Sequence, residues 1–377
     1  MNSINKRQFI KLGLTGIGGI CMLQNEDRIF AKSNNNDEIN WKYTKEAVYY
    51  SVTPRGVKCL LCPNECTLKA GEISTCRNHQ NINEKLYTLA YGNPCAVHID
   101  PIEKKPLLHF LPGTYAYSIA TAGCNLACLN CQNWDISQSS PKTTQNIDLK
   151  PDKVVEECIN NQCKAIAYTY SEPISFYEYM FETAKIARSK KIKNVLVSNG
   201  YINEKPLLSL SKYIDAANIN LKSFSDEIYL KLNAGKLQPI LNTLKILKEQ
   251  NVWLEITNLI IPSWTDDFDM IKKMCEWLVN NGFSGYPLHF LRFHPMYKLT
   301  QLPSTPISVL HKAKDIAIAA GCKYVYIGNI SEDGVLNTFC PKCKSLVIER
   351  IGYKIVSNNL NLNECKKCGT KIEGIWN

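Results

Sequence analysis

Apolar residues along this chain recur with two different periods, and the two periods alternate from residue 116 onward. Short apolar runs typical of buried strands lie at 116–120, 165–169, 194–197, 216–221, 252–260 and 288–293. Amphipathic patterns with helical spacing lie at 151–161, 174–190, 204–213, 237–249, 267–281 and 307–320. Strand–helix alternation of this length predicts a parallel sheet with helical crossovers. Six such units predict an α/β fold, in the form of an open, partial (β/α)6 TIM-like barrel.

Polar side chains follow several of these predicted strands at the point where each strand ends. The carboxyl ends of the strands meet at one end of such a barrel, and its chemistry gathers there. For any single residue, a polar group that faces water explains the pattern equally well. Recurrence at successive strand ends instead predicts a shared site for a polar ligand, lined by Glu172, Ser198, Asn199, Lys222 and His294.

The cysteines narrow the chemistry of that site. The chain has 17 cysteines, and most fall into three groups whose spacing favours metal ligation over a disulfide framework. The central group, C-x3-C-x2-C, follows the first predicted strand and consists of Cys124, Cys128 and Cys131. Three thiolates can hold three irons of a [4Fe–4S] cluster and leave the fourth iron open to a small molecule. A zinc site is the alternative, but zinc sites usually close with a fourth ligand, and none lies nearby in the sequence.

A second group of cysteines precedes the predicted barrel. It consists of Cys59, Cys62, Cys66 and Cys76. Pro63 and Gly71 supply turns between these cysteines, so the four thiolates can close a tetrahedral site. Tetrahedral sulfur ligation is typical of zinc or of an iron–sulfur centre, and the spacing leaves both open.

The third group lies near the C-terminus. Two C-x-x-C pairs comprise Cys340, Cys343, Cys365 and Cys368. The residues between the pairs alternate in polarity at 345–356, which suits short antiparallel strands and predicts a zinc ribbon. An auxiliary iron–sulfur centre or a rubredoxin-like iron site is the alternative, because both use four sulfur ligands.

The net charge and the N-terminal segment say less about function than the cysteines do. The net charge of +10 comes from dispersed lysines, so it does not demand a nucleic-acid partner. Residues 1–23 join Lys6-Arg7 to an apolar run too short to span a membrane, which is typical of a signal segment. The predicted organisation is a signal-like segment at 1–23, a linker at 24–44, a cysteine-rich metal module at 45–99, a barrel domain at 100–335 and a zinc-ribbon-like module at 336–377.

The cysteine loop resembles that of the radical S-adenosylmethionine (SAM) superfamily. Ser171-Glu-Pro173 is similar to the GGEP stretch of the glycyl-radical-enzyme activases, such as those of pyruvate formate-lyase, and Asn220-x-Lys222 is similar to their D-x-K. The radical SAM enzymes of the AmmeMemoRadiSam system are more similar still. They share C-x-x-C-P-x-x-C at 59–66, D-P-I-E-K-K-P-L at 100–107 and C-N-L-x-C-x-x-C-Q-N-W-x-I-S-Q at 124–138.

The resemblance implies a radical SAM barrel and an enzyme. A [4Fe–4S] cluster on Cys124, Cys128 and Cys131 would bind SAM and cleave it reductively to a 5′-deoxyadenosyl radical, which abstracts hydrogen from a substrate. The strand-end residues named above would then contact the SAM ammonium, carboxylate, ribose and adenosyl groups. Two departures concern cofactor contacts: Asn130 stands where the superfamily often has an aromatic residue, and Asn220 stands where the activases have Asp.

Two other functions stay open at this point. One is a glycyl-radical activase of the pyruvate formate-lyase type, and the other is a metal-binding scaffold or nucleic-acid-binding protein. The enzyme interpretation implies a low-potential electron donor of the flavodoxin or ferredoxin type, together with the two companion proteins of the AmmeMemoRadiSam system. We favour the cytoplasm as its location, because SAM and low-potential electrons are supplied there. The alternative is export or membrane attachment through a twin-arginine-like segment, with Lys6 in place of the first arginine.

Overall fold

The structure, a computed structural model, describes residues 41–377. The predicted signal-like segment at 1–23 and most of the predicted linker at 24–44 therefore lie outside the described residues. Among the residues that are described, no helix is both long and apolar enough to cross a membrane.

Two small antiparallel sheets form the N-terminal part of the described chain. Their strands are β1 (Lys45–Glu46), β2 (Tyr50–Thr53), β3 (Gly56–Cys59), β4 (Thr67–Leu68), β5 (His79–Ile82) and β6 (Lys85–Thr88). The strand orders are β1-β6-β5 and β2-β3-β4. Such short strands bury little apolar surface by themselves, so this module depends on the contacts it makes with the barrel.

An eight-stranded sheet forms the body of the molecule. Its strands are β7 (Ala96–Pro101), β8 (Tyr115–Ala120), β9 (Ala165–Tyr168), β10 (Lys193–Ser198), β11 (Ala216–Asn220), β12 (Trp253–Ile260), β13 (Leu288–Arg292) and β14 (Val325–Gly328). The order runs from β14 to β7 without interruption, and β8 to β14 are all parallel. The predicted partial TIM-like barrel is therefore confirmed, with two strands that we had not predicted. These are β14 and β7, and β7 pairs antiparallel with β8.

Helices connect the strands on the outer face. They are α1 (Trp134–Ser137), α2 (Pro151–Asn160), α3 (Tyr177–Ser189), α4 (Glu204–Ser211), α5 (Asp226–Ile228), α6 (Leu237–Glu249), α7 (Phe268–Asn280) and α8 (Ile307–Ala320). Local signals fix several ends: α2 begins at Pro151, the Asp267 side chain caps α7 by accepting from Met270 N, and α8 ends at Gly321 with a left-handed φ of 106°.

The chain between β7 and β8 closes the amino end of the barrel. Leu107 and Phe110 lie fully buried there, against small residues from the first halves of the strands, among them Ala165 and Ala216. The Asn218 amide also donates to the Pro106 carbonyl at 2.8 Å. We call residues 102–111 the floor segment. Because the floor segment fills this end, the carboxyl ends of the strands form the other, functional end of the barrel.

A C-terminal module packs beneath that floor. Its strands are β15 (Thr338–Phe339), β16 (Leu346–Ile351), β17 (Lys354–Asn358), β18 (Leu360–Asn361) and β19 (Glu364–Cys365). The buried Arg350 guanidinium donates to the Leu108 carbonyl at 2.7 Å, and Ile375 exchanges backbone hydrogen bonds with His109 and Leu111. The module is thus fastened to the floor segment by buried polar contacts.

Candidate functional site

The central cysteine loop begins one residue after β8 ends, at the carboxyl end of the barrel. Two other segments hold its backbone: Ala127 N donates to Asn233 O at 3.0 Å, and the Asn64 amide donates to the Asn125 carbonyl at 2.7 Å. Asn233 ends a π-helical turn at Tyr229–Asn233. The loop is therefore positioned by the N-terminal module and by the chain after β11, as well as by its own strand.

The sulfur atoms in this loop are met by N–H groups. Leu126 N lies 3.4 Å from Cys124 Sγ, and the Asn233 amide nitrogen lies 3.2 Å from Cys128 Sγ. Burial raises the pKa of the Cys124 thiol well above its usual value. A bound cation is what stabilises the thiolate in such a place, since coordinating thiols bind metals in the deprotonated form.

The spacing of the sulfurs tests which metal fits. A single zinc or iron with bonds of about 2.3 Å places its sulfur ligands about 3.8 Å apart. Within residues 41–377, the one group of potential ligand atoms that all lie within 4.8 Å of one another is the C-terminal cysteine quartet. The sulfurs of Cys124, Cys128 and Cys131 therefore do not all lie within 4.8 Å of one another. The loop fits a [4Fe–4S] cluster, in which each thiolate binds a different iron.

Three of the predicted strand-end residues, Glu172, Ser198 and Asn199, meet beside Cys124, and we call them the Glu172 group. The buried Glu172 carboxylate accepts from Ser198 Oγ at 2.6 Å, from Asn199 N at 2.8 Å and from Ile174 N at 3.1 Å. Burial raises the pKa of the Glu172 carboxyl, while these hydrogen bonds act in the opposite direction. The side chain therefore ties the end of β9 to the end of β10, beside the cysteine loop.

Lys222 lies at the end of the neighbouring strand β11. Its half-buried ammonium acts electrostatically on both Glu172 and Cys131, favouring their charged forms. Asn220, two residues earlier, donates from its amide to the Ser198 carbonyl at 3.2 Å. Lys222 thus lies near the Glu172 group, and the Asn220 hydrogen bond links the ends of β10 and β11 beside it.

His294 is the predicted residue that lies apart from this group. It follows the end of β13 by two residues and is exposed, with Nδ1 3.2 Å from Ser304 Oγ and Nε2 3.3 Å from the Asn329 carbonyl. No hydrogen bond in the described chain joins His294 to the Glu172 group. Its contact with the adenosyl part of SAM stays a prediction.

Two further groups lie at this site: Asn130, which the sequence analysis named only as a departure from the superfamily pattern, and Asn233, which it missed. The Asn130 Oδ1 atom is buried without a hydrogen-bond partner among the described residues, next to Cys131. Asn233, which donates to Cys128 Sγ, precedes Ala234 in the left-handed region (φ 56°) and Gly235. The turn-prone Asn-Ala-Gly run was a visible signal, but its partner lies 105 residues away in sequence.

The C-terminal quartet has the geometry of a site for a single ion. Cys340 Sγ lies 3.6 Å from Cys368 Sγ, and Cys343 Sγ lies 3.8 Å from Cys365 Sγ. These separations match the tetrahedral edge of about 3.8 Å expected around one zinc or iron. The quartet thus fits a single metal ion, and a zinc-ribbon-like site agrees with the strands observed around it.

Comparisons with known proteins give a consistent picture. The family model of the Radical SAM superfamily matches residues 118–278. Uncharacterized protein MJ0808 of Methanocaldococcus jannaschii is 43% identical over 332 residues, covering 87% of this chain and 99% of that protein. The pyruvate formate-lyase 1-activating enzyme of Escherichia coli is 23% identical over 219 residues, covering 54% of this chain and 89% of that enzyme.

Among solved structures, a domain of a pyruvate-formate lyase-activating enzyme from Bacteroides vulgatus aligns with 15% identity and a TM-score of 0.38, covering 44% of this chain and 99% of that domain. The family match spans the cysteine loop, the Glu172 group and Lys222. The family-model match and the sequence relatives, together with the barrel and its three-cysteine loop, show that the chain is an enzyme that belongs to the radical SAM superfamily.

Proposed function

We propose that this enzyme holds a [4Fe–4S] cluster on Cys124, Cys128 and Cys131, and binds SAM on the open iron to abstract hydrogen from its substrate. The observation that carries the proposal is the position of these three widely spaced thiols beside Glu172 and Lys222. When bound, the reduced cluster and SAM supply the 5′-deoxyadenosyl radical. The chain itself binds, orients and shields these groups.

The polar groups around the loop suit the parts of SAM. We expect the Lys222 ammonium to pair with the SAM carboxylate and the Glu172 carboxylate, when ionised, to attract the SAM ammonium. Ser198 Oγ and Asn199 N both donate to Glu172, which fixes this strand end, and we expect the two residues to meet the ribose hydroxyls there. The unpartnered Asn130 Oδ1 offers an acceptor to the adenine amine, because a buried carbonyl oxygen without a donor is costly.

A second candidate function is supported by the relatives. Similarity to the pyruvate formate-lyase 1-activating enzyme favours a glycyl-radical activase, in which a protein backbone is the source of the hydrogen. The extra cysteine modules at both ends of this barrel favour a different substrate. We therefore place the activase second. An activase would act on a glycyl-radical enzyme, whereas the first proposal has the companion proteins of the AmmeMemoRadiSam system as partners. In either case a low-potential donor of the flavodoxin or ferredoxin type supplies the electron.

Anaerobic reconstitution tests the proposal. The full-length protein is incubated with iron, sulfide, dithionite and SAM, and 5′-deoxyadenosine is measured by chromatography. We expect its formation with the iron-loaded protein and none with protein kept free of iron. A loaded protein that shows no spectral response to SAM and forms no 5′-deoxyadenosine would contradict the proposal.

A further inference from the structure

The cysteines of the N-terminal module line one enclosed cavity against the barrel. All four contribute to its wall, and Cys59, Cys62 and Cys76 are buried. The barrel completes the wall with Asn125, from the central cysteine loop, and with Ser175, which follows Glu172. Four thiols thus surround a space that both the module and the barrel enclose.

The spacing of these sulfurs differs from that of the C-terminal quartet. In the chain from residue 41 onward, no three ligand atoms from the N-terminal group all lie within 4.8 Å of one another, whereas all four do in the C-terminal group. A single tetrahedral ion requires about 3.8 Å between sulfurs. Four cysteines around a wider space fit a [4Fe–4S] cluster, whose thiolates bind four separate irons.

Hydrogen-bonding groups surround the sulfurs of this cavity. Cys76 Sγ lies 3.0 Å from Ser74 Oγ and 3.5 Å from His79 Nδ1. The other ring nitrogen of His79 lies 3.6 Å from the Glu178 carboxylate, and both side chains are almost fully buried. Donors to sulfur offset the negative charge of a buried thiolate cluster and set its reduction potential.

The N-terminal module also touches the SAM-cluster loop directly. The Asn78 amide donates to the Ala122 carbonyl at 2.7 Å. Gly123, which precedes Cys124, has a φ of 100°, and a Cβ there would lie 2.5 Å from the Cys76 carbonyl oxygen. The backbone of one thiol site therefore packs against the backbone of the other, and only glycine allows that approach.

We propose that Cys59, Cys62, Cys66 and Cys76 hold a second [4Fe–4S] cluster, ligated by protein on all four irons, which relays electrons to the SAM cluster. A low-potential donor is oxidised by one electron as the second cluster is reduced; that cluster is reoxidised as the first is reduced. The identity of the metal stands by itself, whereas the relay rests on the proposed function of the central loop.

Metal analysis of the full-length protein, purified anaerobically, tests the identity of the metal. We expect about eight irons and about eight sulfides per chain, with about one zinc or mononuclear iron in addition. The triple variant Cys124→Ala/Cys128→Ala/Cys131→Ala keeps about half of the cluster iron and sulfide. After dithionite reduction, it gives an electron paramagnetic resonance (EPR) signal that SAM does not change.

The opposite results are equally clear. Two zincs per wild-type chain, with acid-labile sulfide for one cluster only, would overturn the second cluster. If the triple variant does not fold, the wild-type ratio of zinc to sulfide decides. A triple variant that holds its cluster, beside a wild type that forms no 5′-deoxyadenosine, would end the proposed function and leave the second cluster intact.

The relay has its own test, with reduced flavodoxin as the electron donor. Cys62→Ala should keep the SAM-responsive EPR signal, yet form 5′-deoxyadenosine at least about tenfold more slowly than the wild type. His79→Gln, which weakens the hydrogen bond to Cys76, should shift the midpoint potential of the second signal and leave the first unchanged. An unaltered rate in Cys62→Ala would refute the relay.

Discussion

The two four-cysteine groups lie at opposite ends of the barrel and differ in both spacing and surroundings. The C-terminal quartet is tight, with sulfur separations of 3.6 and 3.8 Å, and its module is fastened to the floor segment. The N-terminal quartet is wider, and its cavity shares a wall with the central cysteine loop. Four cysteines in sequence therefore do not identify the metal. Sulfur spacing and neighbours separate a structural ion from a candidate redox centre.

Removing a cluster ligand at the carboxyl end of the barrel should have the largest effect on activity. Cys128→Ala removes one of three cluster ligands, so 5′-deoxyadenosine formation should fall to background, while the C-terminal quartet still binds its metal. Chromatography and metal analysis measure the two outcomes on one sample. Cys95→Ala, at a half-buried thiol outside the three groups, is the control and should retain activity. Full SAM cleavage by Cys128→Ala would contradict the assignment.

Removing a buried contact at the amino end of the barrel should lower the free energy of unfolding and leave SAM binding unchanged. The Arg350 guanidinium donates to the carbonyls of Leu108 and Leu336 at 2.7 Å, so Arg350→Ala leaves buried acceptors unpaired. We expect the free energy of unfolding to fall by about 3–5 kcal/mol. Urea unfolding measures this loss, and Arg188→Ala, at a half-exposed side chain, should change it by less than about 0.5 kcal/mol. A loss of SAM binding in folded Arg350→Ala protein would show that the two ends are coupled.

Acid should lower the stability of the protein through His109, which lies in the floor segment at the amino end of the barrel. Burial lowers the pKa of His109 to about 4, against an ordinary value near 6.5. Between these two values the unfolded chain binds a proton that the folded chain does not, so stability falls as pH falls. From about pH 7 to about pH 5 this histidine should remove about 2 kcal/mol. Urea unfolding at both pH values measures the loss, and His109→Gln should abolish that part of the slope; an equal slope in the variant would exclude His109 as its source.

The smallest expected effect concerns a single SAM contact at the carboxyl end of the barrel. Lys222→Ala should weaken SAM binding about tenfold, or about 1.4 kcal/mol, because one charge-assisted contact is lost. Cluster content should stay unchanged. Titration of the EPR signal with SAM measures the affinity. Lys231→Ala, whose ammonium pairs with Glu227 on the surface, is the matched control. Equal affinity in the two variants would remove Lys222 from the site.

Local patterns explain what could be predicted from the sequence. Each parallel strand from β8 to β13 is a buried apolar run, and the cysteine spacing lies within one loop, so both can be identified from neighbouring residues. Strand β7 contains exposed His98 and ends in Pro101, so it shows no buried period. Strand β14 is a short buried run that we did not predict. The contact of Asn233 with Cys128 depends on the folded path of the chain, which no local pattern reports.

Glu172 and His294 illustrate the same limit at the site. Glu172 was predicted from its place after a strand, but its three partners come from two different strand ends. His294 follows a strand in the same way, and its side chain contacts Ser304 and Asn329, while its contact with SAM stays a prediction. Sequence position predicts the end of the barrel on which a residue lies, but not the direction of its side chain.

The pairing of Ile375 with the floor segment has a consequence for how the protein is made. Residues 109 and 111 bond to a position more than 260 residues later, so the amino end of the barrel stays incomplete until residue 375 has left the ribosome. A tag or truncation next to Ile375 should disturb maturation before it disturbs any step of catalysis.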